Sequence, residues 1–215
     1  MAQSERRYLP AAGHNWFLPL YDPLTKLIGA EKAGRALLDQ AELRPSYRVL
    51  DVGCGTGTLA LLVKRLHPQV EVIGLDPDPR ALARARRKAE RAGVSIRFEQ
   101  GFSDALDHPD GTFDRVFSSM MFHHLPRDER APTLREIRRV LKPGGRLEMM
   151  DFAEPEGSAP GLIARLLHSH SQLKENTDSR ILAMIAGAGF GEARIAGHRD
   201  TLFGRVSYYQ ASRPA

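Results

Sequence analysis

An apolar strand, a turn with glycine at three alternate positions and an apolar helix follow one another in VLDVGCGTGTLALLVKRL (residues 49–66). No other feature constrains the chain as strongly. Gly53, Gly55 and Gly57 allow positive φ in the turn, and with no Cβ in the way a ligand can lie against the backbone. In an open α/β sheet such a turn stands at the carboxyl ends of the strands, where the ligand crevice forms. From Tyr47 onward, short β-branched runs alternate with longer helical ones, the pattern of a parallel sheet with helices on both faces. Strands are expected at 48–53, 71–76, 95–101, 113–119 and 145–152, with helices at about 57–66, 78–92 and 127–140 between them. A helix over 22–43 precedes them, with Asp22 as its N-cap and Pro23 in its first turn. After the fifth strand come the loop EPEGSAPG, two helical stretches (LIARLLHSHSQL and DSRILAMIAGAGF), and two runs, EARIAGHRD and LFGRVSYYQASR, that read as an antiparallel pair.

Composition narrows the class. A chain of 215 residues suits a single domain, 1–215, with residues 1–43 as an N-terminal segment and helix within it. Hydrophobic content of 42% and charged content of 27% are those of globular proteins rather than disordered or collagen-like chains. No leader-like apolar region and no run of membrane-span length is seen, so a cytoplasmic protein without stable membrane insertion is expected. Cys54 is the one cysteine and cannot form an internal disulfide; its side chain reads as a small packing residue. The net charge of +5 is concentrated in RALARARRKAERAGVSIR (80–97), around a helix whose other face is Leu82, Ala85 and Ala89. This is the pattern of a solvated helix face, and with no zinc-finger spacing or aromatic-basic signature beside it no nucleic-acid partner is expected.

The glycine turn can be read further. A dinucleotide-binding turn would carry its third glycine at 58, where this chain has Thr58. Asp76 ends the second strand about 20 residues after the turn, where a carboxylate can accept hydrogen bonds from both ribose hydroxyls. Together these features call for an adenosine ligand without a pyrophosphate.

Four stretches in order, VLDVGCGTG (49–57), GLDPD (74–78), FDRVFSSMMFHHL (113–125) and LKPGGRLEMMDF (141–152), resemble the motifs of the class I S-adenosylmethionine-dependent methyltransferases. The resemblance is greatest to the branch related to ubiquinone and menaquinone biosynthesis methyltransferases, and it covers about residues 14–152. It implies a Rossmann-like seven-stranded sheet, five parallel strands followed by an antiparallel pair, with helices on both faces. It also implies S-adenosyl-L-methionine as cofactor and S-adenosyl-L-homocysteine as product. By position, Asp51 would hold the methionine ammonium, Gly53 and Gly55 with Cys54 between them would line the methionine and ribose, Asp76 would take the ribose hydroxyls, and Pro77 would pack on the adenine. The third motif departs from the family pattern, because the aspartate that meets the adenine amino group falls on Phe102. Either Phe102 packs against the adenine and the Ser103 backbone reads its edge, or Asp104 substitutes.

On the acceptor side the resemblance points to SSMMFHHLP (118–126), with Ser118 toward the cofactor, Met120 and Phe122 lining the acceptor pocket, and His123 as candidate base. His124 reads as an anchor for the next helix. In GHNWFLPLYDPL (13–24), His14 and Tyr21 are candidate catalytic residues and Trp16 a pocket residue of a lid; the alternative is that these aromatics close the core. His168 and His170 lie two apart and point to opposite sides of a helix, so at most one, taken as His168, faces the pocket. No third ligand has suitable spacing, and no metal is expected.

Methyl transfer from a sulfonium is an in-line displacement that gains most from alignment and exclusion of water, with a base useful only for a hydroxyl or acidic carbon. The expected acceptor is a small molecule, phenol- or quinone-like or a thiol. Two alternatives stand beside it: methylation of a membrane lipid or prenylated quinone at the bilayer surface, and a non-catalytic S-adenosylmethionine sensor. Homodimerisation stays open.

Overall fold

A computed structural model describes residues 30–153, 177–201 and 204–215. In chain order these form α1 (Ala30–Ala41), β1 (Arg48–Val52), α2 (Thr58–Leu66), β2 (Glu71–Asp76), α3 (Pro79–Arg91), β3 (Arg97–Gln100) and β4 (Phe113–Ser119). There follow a 3-10 turn (Phe122–His124), α4 (Arg127–Val140), β5 (Leu141–Phe152), α5 (Asp178–Gly187), β6 (Gly191–Thr201) and β7 (Gly204–Ser212). The seven strands make one sheet in the order β3-β2-β1-β4-β5-β7-β6. The first five pair in parallel, and β7 runs antiparallel to both β5 and β6. The Rossmann-like sheet implied by the resemblance is therefore present. The strand order reverses between β1 and β4, and the carboxyl ends there are where such sheets bind ligands.

β1 and β2 are almost wholly buried because helices cover both faces, which is why they read as continuous apolar runs. On one face Leu37 and Leu38 of α1, Leu62 and Val63 of α2, and Leu82 and Ala85 of α3 pack on the sheet. On the other, Leu134, Ile137 and Val140 of α4 meet Ile181 and Ile185 of α5. α3 begins where Asp78 Oδ1 accepts the Arg80 N–H at 2.8 Å, with Pro79 in the first turn. Its apolar face is Leu82, Ala85 and Ala89, as the sequence predicts, together with Ala81.

Three expectations are corrected at their edges. β5 starts at Leu141 rather than 145: Leu141 pairs with Phe113, and the register then shifts to Arg115 opposite Arg146, so Pro143-Gly144-Gly145 is a bulge within the strand rather than a turn before it. β3 is confined to Arg97–Gln100. α1 ends at Ala41, two residues short of 43, where Glu42 takes a left-handed φ of 49°. The last carbonyls of α1 are taken by side chains from the sheet: Arg115 Nε donates to Ala41 O at 2.8 Å, and Arg146 Nη2 to Gln40 O at 3.0 Å. Glu148, fully buried, balances this charge, with Arg146 Nε 3.1 Å away and Gln210 Nε2 donating to it at 3.1 Å. Asp22, Pro23 and the LIARLLHSHSQL stretch lie outside the described residues.

Candidate cofactor and acceptor site

The turn after β1 is fastened to the end of β2. The amides of Gly53 and Cys54 both donate to Leu75 O, at 2.8 and 3.0 Å. Asp76 joins the same two loops: its Oδ2 accepts the Gly55 N–H at 2.8 Å and its Oδ1 the Asp78 N–H at 2.9 Å. Gly53 and Gly57 have φ of 69° and 74°, which L side chains rarely adopt. A Cβ on Gly57 would lie 2.9 Å from Ala85 Cβ and 3.1 Å from the Phe98 ring, so this glycine lets α2 start close to α3 and β3. A Cβ on Gly53 would lie 2.2 Å from Met121 Cγ, which brings the segment after β4 directly against the turn.

Asp51, at the end of β1, is 1% exposed, and neither carboxylate oxygen completes a hydrogen bond. Burial pushes its carboxyl up to about 8; the Ala60 amide of α2 offsets part of this, and the nearby charge of Asp76 adds to it. Burial also raises Asp76, to about 6, against the two amides that it accepts. The Ser118 hydroxyl, one strand away and paired in register with Val52, is likewise buried without a partner. A buried carboxylate with both oxygens unpaired, beside backbone that lacks Cβ, asks for a cationic donor. The Cys54 side chain turns the other way, against Gly74 beside Phe98. Burial and the two aspartates push its thiol well up, which fits packing and not chemistry.

In the segment expected to face the acceptor, β4 leads into Met120, which takes φ 56° while its N–H donates to Met150 O at 2.9 Å. Met120, Met121 and Leu125 are part-buried. Phe122, expected in the acceptor pocket, is 1% exposed in the core with the Arg130 guanidinium 5.5 Å from its ring centre. His123 is buried, and its Nδ1 lies 2.6 Å from Asp151 Oδ1 at the end of β5. Asp151 is the residue that sequence reasoning missed; the available signal was an acidic residue closing the apolar run of the fifth strand. Phe102 and Pro77 are part-buried, and the Ser103 hydroxyl pairs with Thr133 of α4 at 2.9 Å. Thus Asp51, Gly53, Gly55, Asp76 and Ser118 converge at the carboxyl end of the sheet, with Met121 against Gly53 and with Met120 and His123 in the same segment after β4. His14, Trp16, Tyr21 and His168 lie outside the described residues. Among the described residues no group of three or more His, Cys, Asp or Glu is placed to hold a metal ion, and no helix is long and apolar enough to cross a membrane.

A doubly wound sheet whose first strand ends in a glycine turn, and whose second ends in a carboxylate tied to that turn, defines a nucleoside-binding α/β protein. Residues 49–145 match the family model described as a methyltransferase domain. The demethylmenaquinone methyltransferase of Thermus thermophilus is 42% identical over 151 residues, covering 69% of this chain and 68% of its own length. That of Deinococcus radiodurans is 38% identical over 155 residues, covering 71% of this chain and 64% of its own. The crystal structure of the YcgJ protein of Bacillus subtilis shares the fold, with a TM-score of 0.72 at 22% identity over 86% of this chain and 99% of that one. The chain belongs to the class I S-adenosylmethionine-dependent methyltransferases, in the branch of the quinone-biosynthesis enzymes. S-adenosylmethionine is the cofactor of this family, and the unpaired oxygens of Asp51 beside the Gly53–Gly55 backbone fit its cationic amino-acid end.

Proposed function

We propose that this methyltransferase acts on a small acceptor with an aromatic or aliphatic body, phenol- or quinone-like, and that the glycine turn and the segment after β4 form its two half-sites. The observation that carries the reading is the buried, unpaired carboxylate of Asp51 under the turn. Asp51 accepts the methionine ammonium. Asp76 uses the remaining lone pairs of its two oxygens for the ribose hydroxyls while its amide contacts keep the turn in place. Gly53 and Gly55 let the ligand approach the backbone, Pro77 and Phe102 flank the adenine, and Ser118 offers its hydroxyl at the boundary with the acceptor.

When bound, S-adenosylmethionine supplies an electrophilic methyl carbon that moves in line to the acceptor, leaving its bonding pair on sulfur as S-adenosylhomocysteine. The chain's contribution is to align the acceptor and exclude water. Met120, Met121 and Leu125 give the acceptor side an apolar lining, and His123 takes the proton that a hydroxyl or acidic carbon must lose. The quinone-type acceptor is supported by the names of the relatives at 42% and 38% identity, both demethylmenaquinone methyltransferases.

The test is transfer of label from methyl-labelled S-adenosylmethionine to a demethylated naphthoquinol, to simple phenols and thiols, and to a cell extract separated into organic, aqueous, volatile and macromolecular fractions. Label on the quinol or in the organic fraction is expected. Label confined to macromolecules would refute the small-molecule reading.

A further inference from the structure

His123 and Asp151 are 28 residues apart in sequence, and the parallel pairing of β4 with β5 brings them together. Asp151 is fully buried, yet its carboxylate is richly supplied with donors. Oδ1 lies 2.6 Å from His123 Nδ1 and accepts the Phe152 N–H at 2.7 Å; Oδ2 accepts the His123 N–H at 3.3 Å. Burial alone would raise the carboxyl, but the His123 ring, His124 and the Phe152 amide outweigh it and hold Asp151 below the usual carboxylate range. An ionised carboxylate can only accept, so at 2.6 Å the ring must bring a proton on Nδ1.

We propose that Asp151 is a positioning residue that holds His123 in its Nδ1–H tautomer, which puts the ring's lone pair on Nε2, and that this pair selects an acceptor that must lose a proton on methylation. The proposal rests on the reading of His123 as the acceptor-side base. The substrate class is a phenol, a hydroquinone hydroxyl or an enolisable carbon, not a tertiary amine. The acceptor's proton goes to Nε2, the pair of the broken O–H or C–H bond stays on the acceptor to meet the methyl carbon, and the imidazolium formed faces the carboxylate of Asp151. That proton then leaves to water. The same logic operates wherever an aspartate behind a histidine fixes the tautomer and stabilises the charged ring.

The other groups around the pair agree with a deliberate arrangement. The His124 ring lies 4.0 Å from that of His123, and the Phe152 ring packs edge-on at 5.4 Å. Arg130 of α4, 3% exposed, donates through Nε to Leu125 O and feels the charge of Asp151. An aspartate needed only to anchor the short turn would be served by the backbone amide at 3.3 Å; the closer contact is the one to the ring.

The experiment reads the tautomer directly, by long-range proton–nitrogen NMR of the histidine rings in 15N-labelled protein. His123 is expected with Nδ1 protonated and Nε2 unprotonated; an Nε2–H tautomer in the unmodified protein overturns the proposal. In Asp151→Asn the tautomer balance should move toward Nε2–H, and kcat should fall about 100-fold or more while the acceptor KM changes little. Should that variant fold poorly by thermal denaturation, the tautomer of the unmodified protein decides the proposal alone; where it folds, His123→Asn, which retains an amide donor for Asp151, should lose kcat to a similar degree. Adding Asp151→Asn to it should then cost little further kcat, whereas independent, multiplying losses would refute the coupling. The two readings fail separately. If no acceptor is methylated at all, the function of the site falls while the tautomer measurement still stands; if methylation is robust and Asp151→Asn keeps its kcat, the positioning role falls alone.

Discussion

Binding of S-adenosylmethionine should release a proton, because Asp51 is held as a neutral acid until a cation arrives. The carboxyl ordinarily ionises near 3.8, and burial lifts it to about 8 with both oxygens unpaired. An ammonium ligand needs the carboxylate, so affinity rises with pH as Asp51 ionises. With the carboxyl at about 8, its ionised fraction grows about ninefold between pH 6 and 7. Asp76, at about 6, adds about a further twofold over the same interval, for a combined gain of about seventeenfold. Titration calorimetry at pH 7 in buffers of differing ionisation enthalpy should show release of about 0.9 proton by Asp51, and Asp51→Asn should leave only the twofold slope. Stability carries the opposite sign. The folded ligand-free chain binds the proton more tightly than the unfolded one, so stability is full below about pH 4 and falls as pH rises toward 8, by about 5 kcal/mol. Thermal denaturation should therefore show a decline with pH that Asp51→Asn flattens and saturating cofactor offsets. Affinity independent of pH, together with no buffer-dependent heat, would mean that Asp51 does not ionise on binding and would remove the ammonium from it.

Asp76→Asn puts an amide N–H against one of the two backbone amides that the carboxylate accepts, so it should lower the stability of the ligand-free chain by about 1–3 kcal/mol as well as weakening cofactor binding at least tenfold; calorimetry with urea denaturation separates the two. Gly53→Ala combines a φ of 69° with a Cβ 2.2 Å from Met121 Cγ, and should displace Met121, cost about 1–3 kcal/mol and depress methyl transfer more than it depresses melting temperature. Glu148→Ala leaves buried Arg115 without its counter-charge and Arg146 with only the exposed Glu42 at 3.5 Å, and should cost about 3–5 kcal/mol in urea denaturation while cofactor affinity stays unchanged, because this network caps α1 away from the glycine turn.

The buried carboxylates show what the sequence made legible and what it could not. Asp51 and Asp76 were readable because each follows an apolar strand and stands at a fixed distance from a glycine turn, so local order alone puts them at the carboxyl ends of β1 and β2. Glu148 and Asp151 share the run RLEMMDF, and although Asp151 closes its apolar part, nothing local shows which acid meets the scaffold's arginines and which meets a histidine ring. Their difference comes from depth along the sheet. Glu148 lies opposite Phe117 and Gln210, four positions from the end of β5, where arginines that also reach the carbonyls of α1 absorb its charge. Asp151 lies one position beyond the Ser119–Met150 pair, level with the chain leaving β4, and so meets the ring of His123. The register of β4 against β5 decides this, and it shifts at the Pro143-Gly144-Gly145 bulge, most of which lies outside the strand that the sequence predicts from 145. A buried acid whose donors come from the scaffold is structural, as at Glu148. One whose oxygens are unpaired, as at Asp51, or meet a titratable ring at the strand ends, as at Asp151, marks the chemistry. That criterion supports the proposed acceptor half between β4 and β5, with Asp151 behind His123, and the proposed cofactor half between β1 and β2.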